Sequence, residues 1–263
     1  MSSVTTIAVL GATGTAGVRV VARLRARGYP VVEVSRGHGV DLVSGQGLSQ
    51  ALDGVDLAID VSNPRPEDRF SDFTQTLVAA SRNIVGACAA HEVQRLVVST
   101  IDSIDDPVFD GDPYYEGKRA AKAIFLDAPV ATTIVKSTQW YESATDPATV
   151  SGDEEEVTVQ DLLIQPIAAD TVADVLVETA LGQTHKPCAI TGPEAIRLPE
   201  LTSKVLALHG DSRRVRPVPP PIAGLATGAL LASAQAIVVG PDVDTWLATC
   251  AATTTDTACH QSR

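Results

Sequence analysis

The sequence predicts an α/β fold with a doubly wound parallel sheet, followed by a smaller α+β substrate-binding part. Strand and helix patterns alternate through the first half of the chain, as βαβ units require. Three glycines, Gly11, Gly14 and Gly17, stand between the first strand and the first helix. With 44% hydrophobic residues and only 4% aromatics, the core must be built from Val, Ala, Leu and Ile, which suits a buried parallel sheet under close-packed helices.

Thr6–Leu10 is an apolar strand, Thr15–Arg27 a helix ended by Gly28, and Val31–Ser35 the next strand. Leu48–Leu52 reads as a short helix, Leu57–Val61 as a strand, Phe73–His91 as a long helix and Arg95–Ser99 as a strand. Tyr115–Leu126 is helical and Thr132–Lys136 is a fifth strand. Strands separated by helices imply right-handed crossovers in one sheet. After Tyr141 the rhythm loosens into short elements at Val157–Ile164, Thr171–Ala180, Pro187–Thr191, Pro199–His209 and Asp242–Ala248. The expected organisation is a core over residues 1–145, a substrate-covering part over 146–250 and a frayed, Thr-rich tail over 251–263, with the second part over the strand ends where such sheets bind ligands.

A chain of 263 residues with net charge −12 and a pI near 4.7 presents no positive field to nucleic acid or an anionic membrane. Its most basic stretch, Arg213, Arg214 and Arg216, is too short for a nucleic-acid tract. Cys88, Cys188, Cys250 and Cys259 are scattered without metal-type spacing, and with no secretory signal they read as reduced thiols in a cytoplasmic protein. Met1–Thr6 leads directly into the first strand, which leaves no room for a targeting peptide. Ile222–Gly240 is uncharged and close to bilayer-spanning length. Its polar and glycine residues favour a buried or substrate-covering helix over a membrane span.

The turn Gly11-Ala12-Thr13-Gly14-Thr15-Ala16-Gly17 carries the strongest chemical signal. Gly11 permits a tight turn, Gly14 lets a pyrophosphate approach the backbone, and Gly17 lets helix and strand pack closely. Free N–H groups at the helix N-terminus then face the phosphates. Gly11, Thr13, Gly14, Thr15, Ala16 and Gly17 are therefore the expected cradle of a dinucleotide, and the sheet is of Rossmann type.

At the end of the second strand an acidic residue would accept from a ribose 2′-hydroxyl, whereas an arginine pairs with a 2′-phosphate. Glu33 lies within the strand and Ser35-Arg36 emerges at its tip. The reading is NADP with Arg36 on the phosphate, NAD being the second choice; the bland alternative is a solvated surface arginine.

Tyr114 and Lys118 form a Tyr-x-x-x-Lys pair, whose spacing puts both on one helical face. A phenol titrates near 10, and a nearby ammonium favours its phenolate. Tyr114 is thus the candidate proton donor, with Lys118 tuning it and also reaching the nicotinamide ribose. Thr100, at the end of the preceding strand, is the candidate hydroxyl for a substrate carbonyl, with Ser99 and Ser103 as substitutes. Tyr-x-x-x-Lys pairs are also common on ordinary surface helices; the glycine turn upstream raises the functional reading.

Together these residues resemble the short-chain dehydrogenase/reductase superfamily, in particular its atypical, NmrA-like branch. The resemblance rests on Gly11–Gly17, Ser35-Arg36, Val40-Asp41-Leu42, Val61-Ser62-Asn63, Tyr114–Lys118, Thr138-Gln139-Trp140, Ile167–Ala173 and Gly192-Pro193-Glu194. It implies that Asp41 and Leu42 lie near the adenine, and that Val61, Ser62 and Asn63 line the ribose and the path to the nicotinamide. Ser99 would join the cofactor side, while Ser103, Gln139 and Trp140 would border the substrate. The branch usually has arginine where Lys136 stands and often glutamate where Lys122 stands. Its upstream hydroxyl is serine rather than Thr100.

The implied activity is an NADP(H)-dependent oxidoreductase acting on a carbonyl, quinone or enone. Two alternatives stay open: a non-catalytic NAD(P)-sensing regulator, and an epimerase, dehydratase or cyclase that uses the cofactor without net redox. The expected partner is a small molecule, and the superfamily's habit suggests a homodimer. Asp102, Asp105, Asp106, Asp110 and Asp112 crowd the loop before Tyr114; they would either repel an anionic substrate or simply be solvated.

Overall fold

The structure, a computed structural model, describes residues 5–66, 72–182 and 188–260. Residues 1–4, Pro187 at the head of one predicted strand and residues 261–263 of the predicted tail lie outside the described residues.

The N-terminal half alternates as read: β1 (Ile7–Leu10), α1 (Thr15–Ala26), β2 (Val31–Val34), the single-turn α2 (Leu48–Ala51), β3 (Leu57–Asp60), α3 (Phe73–Ala90), β4 (Arg95–Ile101), α4 (Pro113–Leu126) and β5 (Thr132–Ser137). Beyond it come β6 (Val150–Gly152), β7 (Glu156–Gln160), β8 (Leu163–Ile164), α5 (Ala169–Ala180), β9 (Cys188–Thr191), β10 (Ile196–Arg197), α6 (Leu198–Leu208), β11 (Arg214–Val218), β12 (Ile237–Val238) and α7 (Val243–His260). A seven-stranded parallel sheet has the order β12-β9-β5-β4-β3-β1-β2, so the fold is a Rossmann-type α/β architecture. After β1 the chain goes to β2 on one side and to β3 on the other. That reversal is the switch point at which open sheets bind ligands, at the C-terminal strand ends.

Composition explains the layers. All four residues of β1 are fully buried, leaving no polar face. In α1 the buried residues Ala16, Gly17, Val20, Val21 and Leu24 recur at helical spacing. Two aspartates start the next long helices: Asp72 accepts from Thr74 N–H at 2.7 Å, and Asp112 accepts from Tyr114 and Tyr115 N–H at 3.0 and 3.2 Å. Side-chain oxygens there satisfy amides that have no helical partner. Asp112-Pro113 therefore begins α4 two residues before the predicted Tyr115, with proline at its favoured first position.

The chain divides into two compact units, Met1–Ser137 with Ala169–Ala189, and Thr138–Ala168 with Ile190–Arg263. The sequence reading drew one boundary after residue 145 and did not foresee the return of α5 to the first unit. There Arg19 and Arg23 on α1 bind Asp170 at 2.8 and 2.9 Å, and Arg23 binds Asp174 at 2.5 Å. Arg95 donates to the carbonyls of Thr179 and Ala180.

In the second unit, β7 pairs antiparallel with β6 and parallel with β11. Tyr141, fully buried, stacks on Trp246 at 4.8 Å and donates to the Pro241 carbonyl at 2.9 Å. One prediction is corrected here. Ile222–Gly240 is not a helix: it holds one short helical turn at Ala223–Ala226, further turns and β12, because Gly228, at φ +118°, breaks any continuation. Within the predicted tail, residues 251–260 continue α7, which runs to His260. Among the described residues no helix is long and apolar enough to cross a membrane.

Candidate active site

The glycine turn closes over the end of β2, with Gly11 and Ala12 N–H donating to the Val34 carbonyl at 2.9 and 3.2 Å. Gly11 has φ +82°, and a Cβ there would stand 2.8 Å from the Ser62 backbone. At Gly17 a Cβ would stand 2.0 Å from the Gly11 carbonyl oxygen, so any side chain would drive α1 off β1. Gly14 is different: its Cβ would meet only the Gly11 oxygen, at 3.3 Å. Its bareness keeps space open beside the turn, where Thr13, Gly14 and Thr15 are exposed. No side chain caps α1, which leaves its first-turn amides facing that space. A cradle that side chains would fill, at a helix N-terminus, fits a pyrophosphate. Ala16 belongs to the cradle by its backbone alone, since its side chain is buried in the core.

At the tip of β2, Ser35 is buried and its hydroxyl lies 2.8 Å from His38 Nδ1. Arg36 opens a short helical turn and is exposed. The Glu33 carboxylate is bound by Arg25, so the acidic residue of this strand is already committed. Asp41 accepts from Val43 N–H at 2.9 Å and from the Ser44 hydroxyl at 2.8 Å. Burial pushes its carboxyl up, but these bonds and Arg36 outweigh that and hold it below the usual range. Leu42 packs into the hydrophobic core, so its side chain faces inward.

Val61 N–H donates to the Leu10 carbonyl at 3.0 Å, which sets the tip of β3 beside the glycine turn. Ser62 N–H donates to Asp60 at 2.9 Å. Exposed Asn63 reaches α4, where its side-chain amide donates to the Tyr114 hydroxyl at 3.5 Å. The Lys118 ammonium stands 5.8 Å from the centre of the Tyr114 ring, as the helical spacing requires. A cavity of about 20 Å³ joins Lys118 to Thr100, Ser99, Ser62 and Asp60. Ser103 adopts φ +55°, an uncommon conformation for a residue with a side chain.

The structure thus brings together the glycine turn, Ser62, Asn63, Ser99, Thr100, Tyr114 and Lys118. Tyr115 has another role: it stacks on Phe109 at 4.1 Å, and burial pushes its phenol above the ordinary range. Gln139 and Trp140 lie in the second unit, where the Gln139 carbonyl accepts from Ile167 N–H at 2.9 Å and Trp140 pairs with the same residue. The aspartates of the preceding loop have local partners. Asp112 caps α4, Asp106 caps a helical turn, Asp110 binds Arg119 at 2.5 Å, Asp105 binds Lys122, and Asp102 is buried. Asp105, Asp106 and Asp110 remain exposed on that loop. Sequence reasoning missed Asp60, a buried acid ending an apolar strand.

No protein-family model matches the chain, and no curated protein matches it in sequence. Solved structures match it in fold. A short-chain dehydrogenase/reductase superfamily protein from Agrobacterium tumefaciens, with bound NAD, is 17% identical with a TM-score of 0.68, over 98% of this chain and 100% of that one. MoeE5 in complex with UDP-glucose and NAD is 19% identical with a TM-score of 0.68, over 96% and 99% of the two chains. An NADPH-dependent quinone oxidoreductase from Escherichia coli is 15% identical with a TM-score of 0.60, over 93% and 99%. At these identities the likeness is one of fold, and it extends over nearly the whole chain.

Proposed function

We propose that this chain is an NADP(H)-dependent oxidoreductase of the short-chain dehydrogenase type, acting on a carbonyl, quinone or enone small molecule. The observation that carries the reading is the placement of Tyr114, Lys118 and Asn63 together, with Thr100 sharing the Lys118 cavity. The amides of the turn and the N-terminus of α1 hold the pyrophosphate, and exposed Arg36 binds the 2′-phosphate. Ser62, Asn63 and Ser99 line the ribose side, with Asp41 toward the adenine. When bound, the nicotinamide supplies the hydride. Tyr114 donates its hydroxyl proton to the substrate oxygen, and Thr100 donates a hydrogen bond to the same atom. The Lys118 ammonium stabilises the phenolate that Tyr114 becomes. Ser103 is the proposed substrate contact. The fold likeness to proteins described with NAD, and to one described as NADPH-dependent, supports this reading.

Tyr114→Phe removes the proton and leaves the ring. Turnover with NADPH should fall by about 10²–10⁴-fold, the usual worth of a positioned acid, while calorimetric affinity for NADPH stays within about threefold. Wild-type turnover in this variant would exclude Tyr114 as the donor. The fold likeness to a protein described as a UDP-glucose 4-epimerase in complex with NAD favours a second reading, in which the same residues serve a reaction without net redox. That reading predicts cofactor that co-purifies and is regenerated in each cycle.

A further inference from the structure

Asp60 ends β3 at 5% exposure, in a sheet whose neighbouring strands are aliphatic. A carboxylate in such a place is unfavourable unless hydrogen bonds and an opposite charge compensate. Both are present. Ser62 donates its N–H to the Asp60 carboxyl at 2.9 Å, and Asp60 shares the 20 Å³ cavity with Lys118. That volume is enough for one water. The other lysine on the cavity wall, Lys122, is committed to Asp105. From α3 the thiol of Cys88 faces Asp60, pushed up to about 12 by burial and by Asp60 itself, so it brings no charge at neutral pH. From β4 the cavity wall receives only Val98 and the hydroxyls of Ser99 and Thr100.

We propose that Asp60 is a positioning residue: its carboxylate fixes Ser62 and serves as the buried counter-charge that holds the Lys118 ammonium beside Tyr114. The catalytic consequence rests on the reading of Tyr114 and Lys118 given above; the pairing itself does not.

The sign of the stability effect separates this role from a structural one. Burial pushes the Asp60 carboxyl up, and Ser62 and Lys118 pull it only part of the way back. A carboxyl raised on folding favours the folded state at low pH, and that advantage fades as pH rises toward its folded value. The difference between a neutral isostere and wild type should therefore move in the isostere's favour as pH rises.

The test is a double-mutant melting cycle of Asp60→Asn and Lys118→Met at about pH 5 and about pH 8. The Asp60→Asn midpoint should rise relative to wild type between about pH 5 and about pH 8. Lys118→Met should lower the wild-type midpoint, and at least half of that loss should vanish in the Asp60→Asn background. Additive midpoints would overturn the pairing, whether or not any substrate turns over. In the NADPH assay, Asp60→Asn should lower kcat about tenfold and should move the pH profile. Unchanged kcat and profile would overturn the positioning role, and a wild type inactive on every carbonyl would sink the reductase reading alone.

Discussion

Replacing Gly17 with alanine separates the packing role of the glycine turn from its ligand role. The added methyl would stand 2.0 Å from the Gly11 carbonyl oxygen and 2.8 Å from two backbone atoms of Ala12. Real Cβ contacts begin near 3.0 Å, so α1 must retreat from the turn by about 1 Å, since none of the opposing atoms belongs to a movable side chain. Arg19 and Arg23 tether the same helix to Asp170 and Asp174, so the retreat strains that pairing too. Overpacking of this kind costs about 1–3 kcal/mol, which at roughly 2–4 °C per kcal/mol lowers the melting midpoint by about 2–12 °C. The displaced first-turn amides should weaken NADPH binding about tenfold or more by calorimetry. Gly14→Ala is the control: its methyl meets a single atom at 3.3 Å, so the midpoint should move by less than about 2 °C while NADPH affinity still falls. A Gly17→Ala protein that melts and binds like wild type would refute the packing assignment. Equal melting losses in both variants would refute the division of roles.

Arg36→Ala should weaken NADPH by about tenfold or more while changing NADH less than about threefold, because only NADPH carries the 2′-phosphate; equal losses would remove Arg36 from that role. Cys88 is fully buried with its thiol pushed up to about 12, so peptide mapping should find it unmodified after iodoacetamide treatment of native protein near pH 8 and modified in urea. Rapid native labelling would contradict its placement. Burial raises the Asp170 carboxyl, but hydrogen bonds from Arg19 and Arg23 outweigh this and hold it below 3.8. Its stabilising contribution is then present above that value and lost as pH falls through the folded one. Asp170→Asn should melt below wild type near neutral pH, and the gap should close under acid; a gap independent of pH would assign the loss to something other than charge.

Local signals were readable from residues alone. The strand pattern of β1 to β5, the glycine spacing and the one-faced placement of Tyr114 and Lys118 each depend on neighbours a few positions apart. The aspartate cap of α4 was readable too, since Asp112-Pro113 is a helix-start pattern, yet the apolar rhythm drew attention to Tyr115. At Ile222–Gly240 apolar composition outweighed Gly224, Gly228 and the prolines before them. The contact between Asn63 and Tyr114 spans 51 positions, and no periodicity encodes it. Asp60 escaped for a related reason: its burial exists only because α3 and α4 lie across the end of β3, and a lone aspartate after an aliphatic run otherwise reads as a turn residue.

The return of α5 to the first unit bears on how the chain is made. Ala169, Val172, Ala173, Leu176 and Val177 are buried, and α5 covers the sheet beside α1. A nascent chain that has released only Met1–Ser137 has every strand from β1 to β5 but not this cover. At roughly 5–20 residues per second, translation of the 31 residues of Thr138–Ala168 holds that face bare for about two to six seconds before α5 begins to emerge. During that interval the half-built sheet is a surface for chaperones, and an N-terminal fragment cut at Ser137 would keep it exposed permanently.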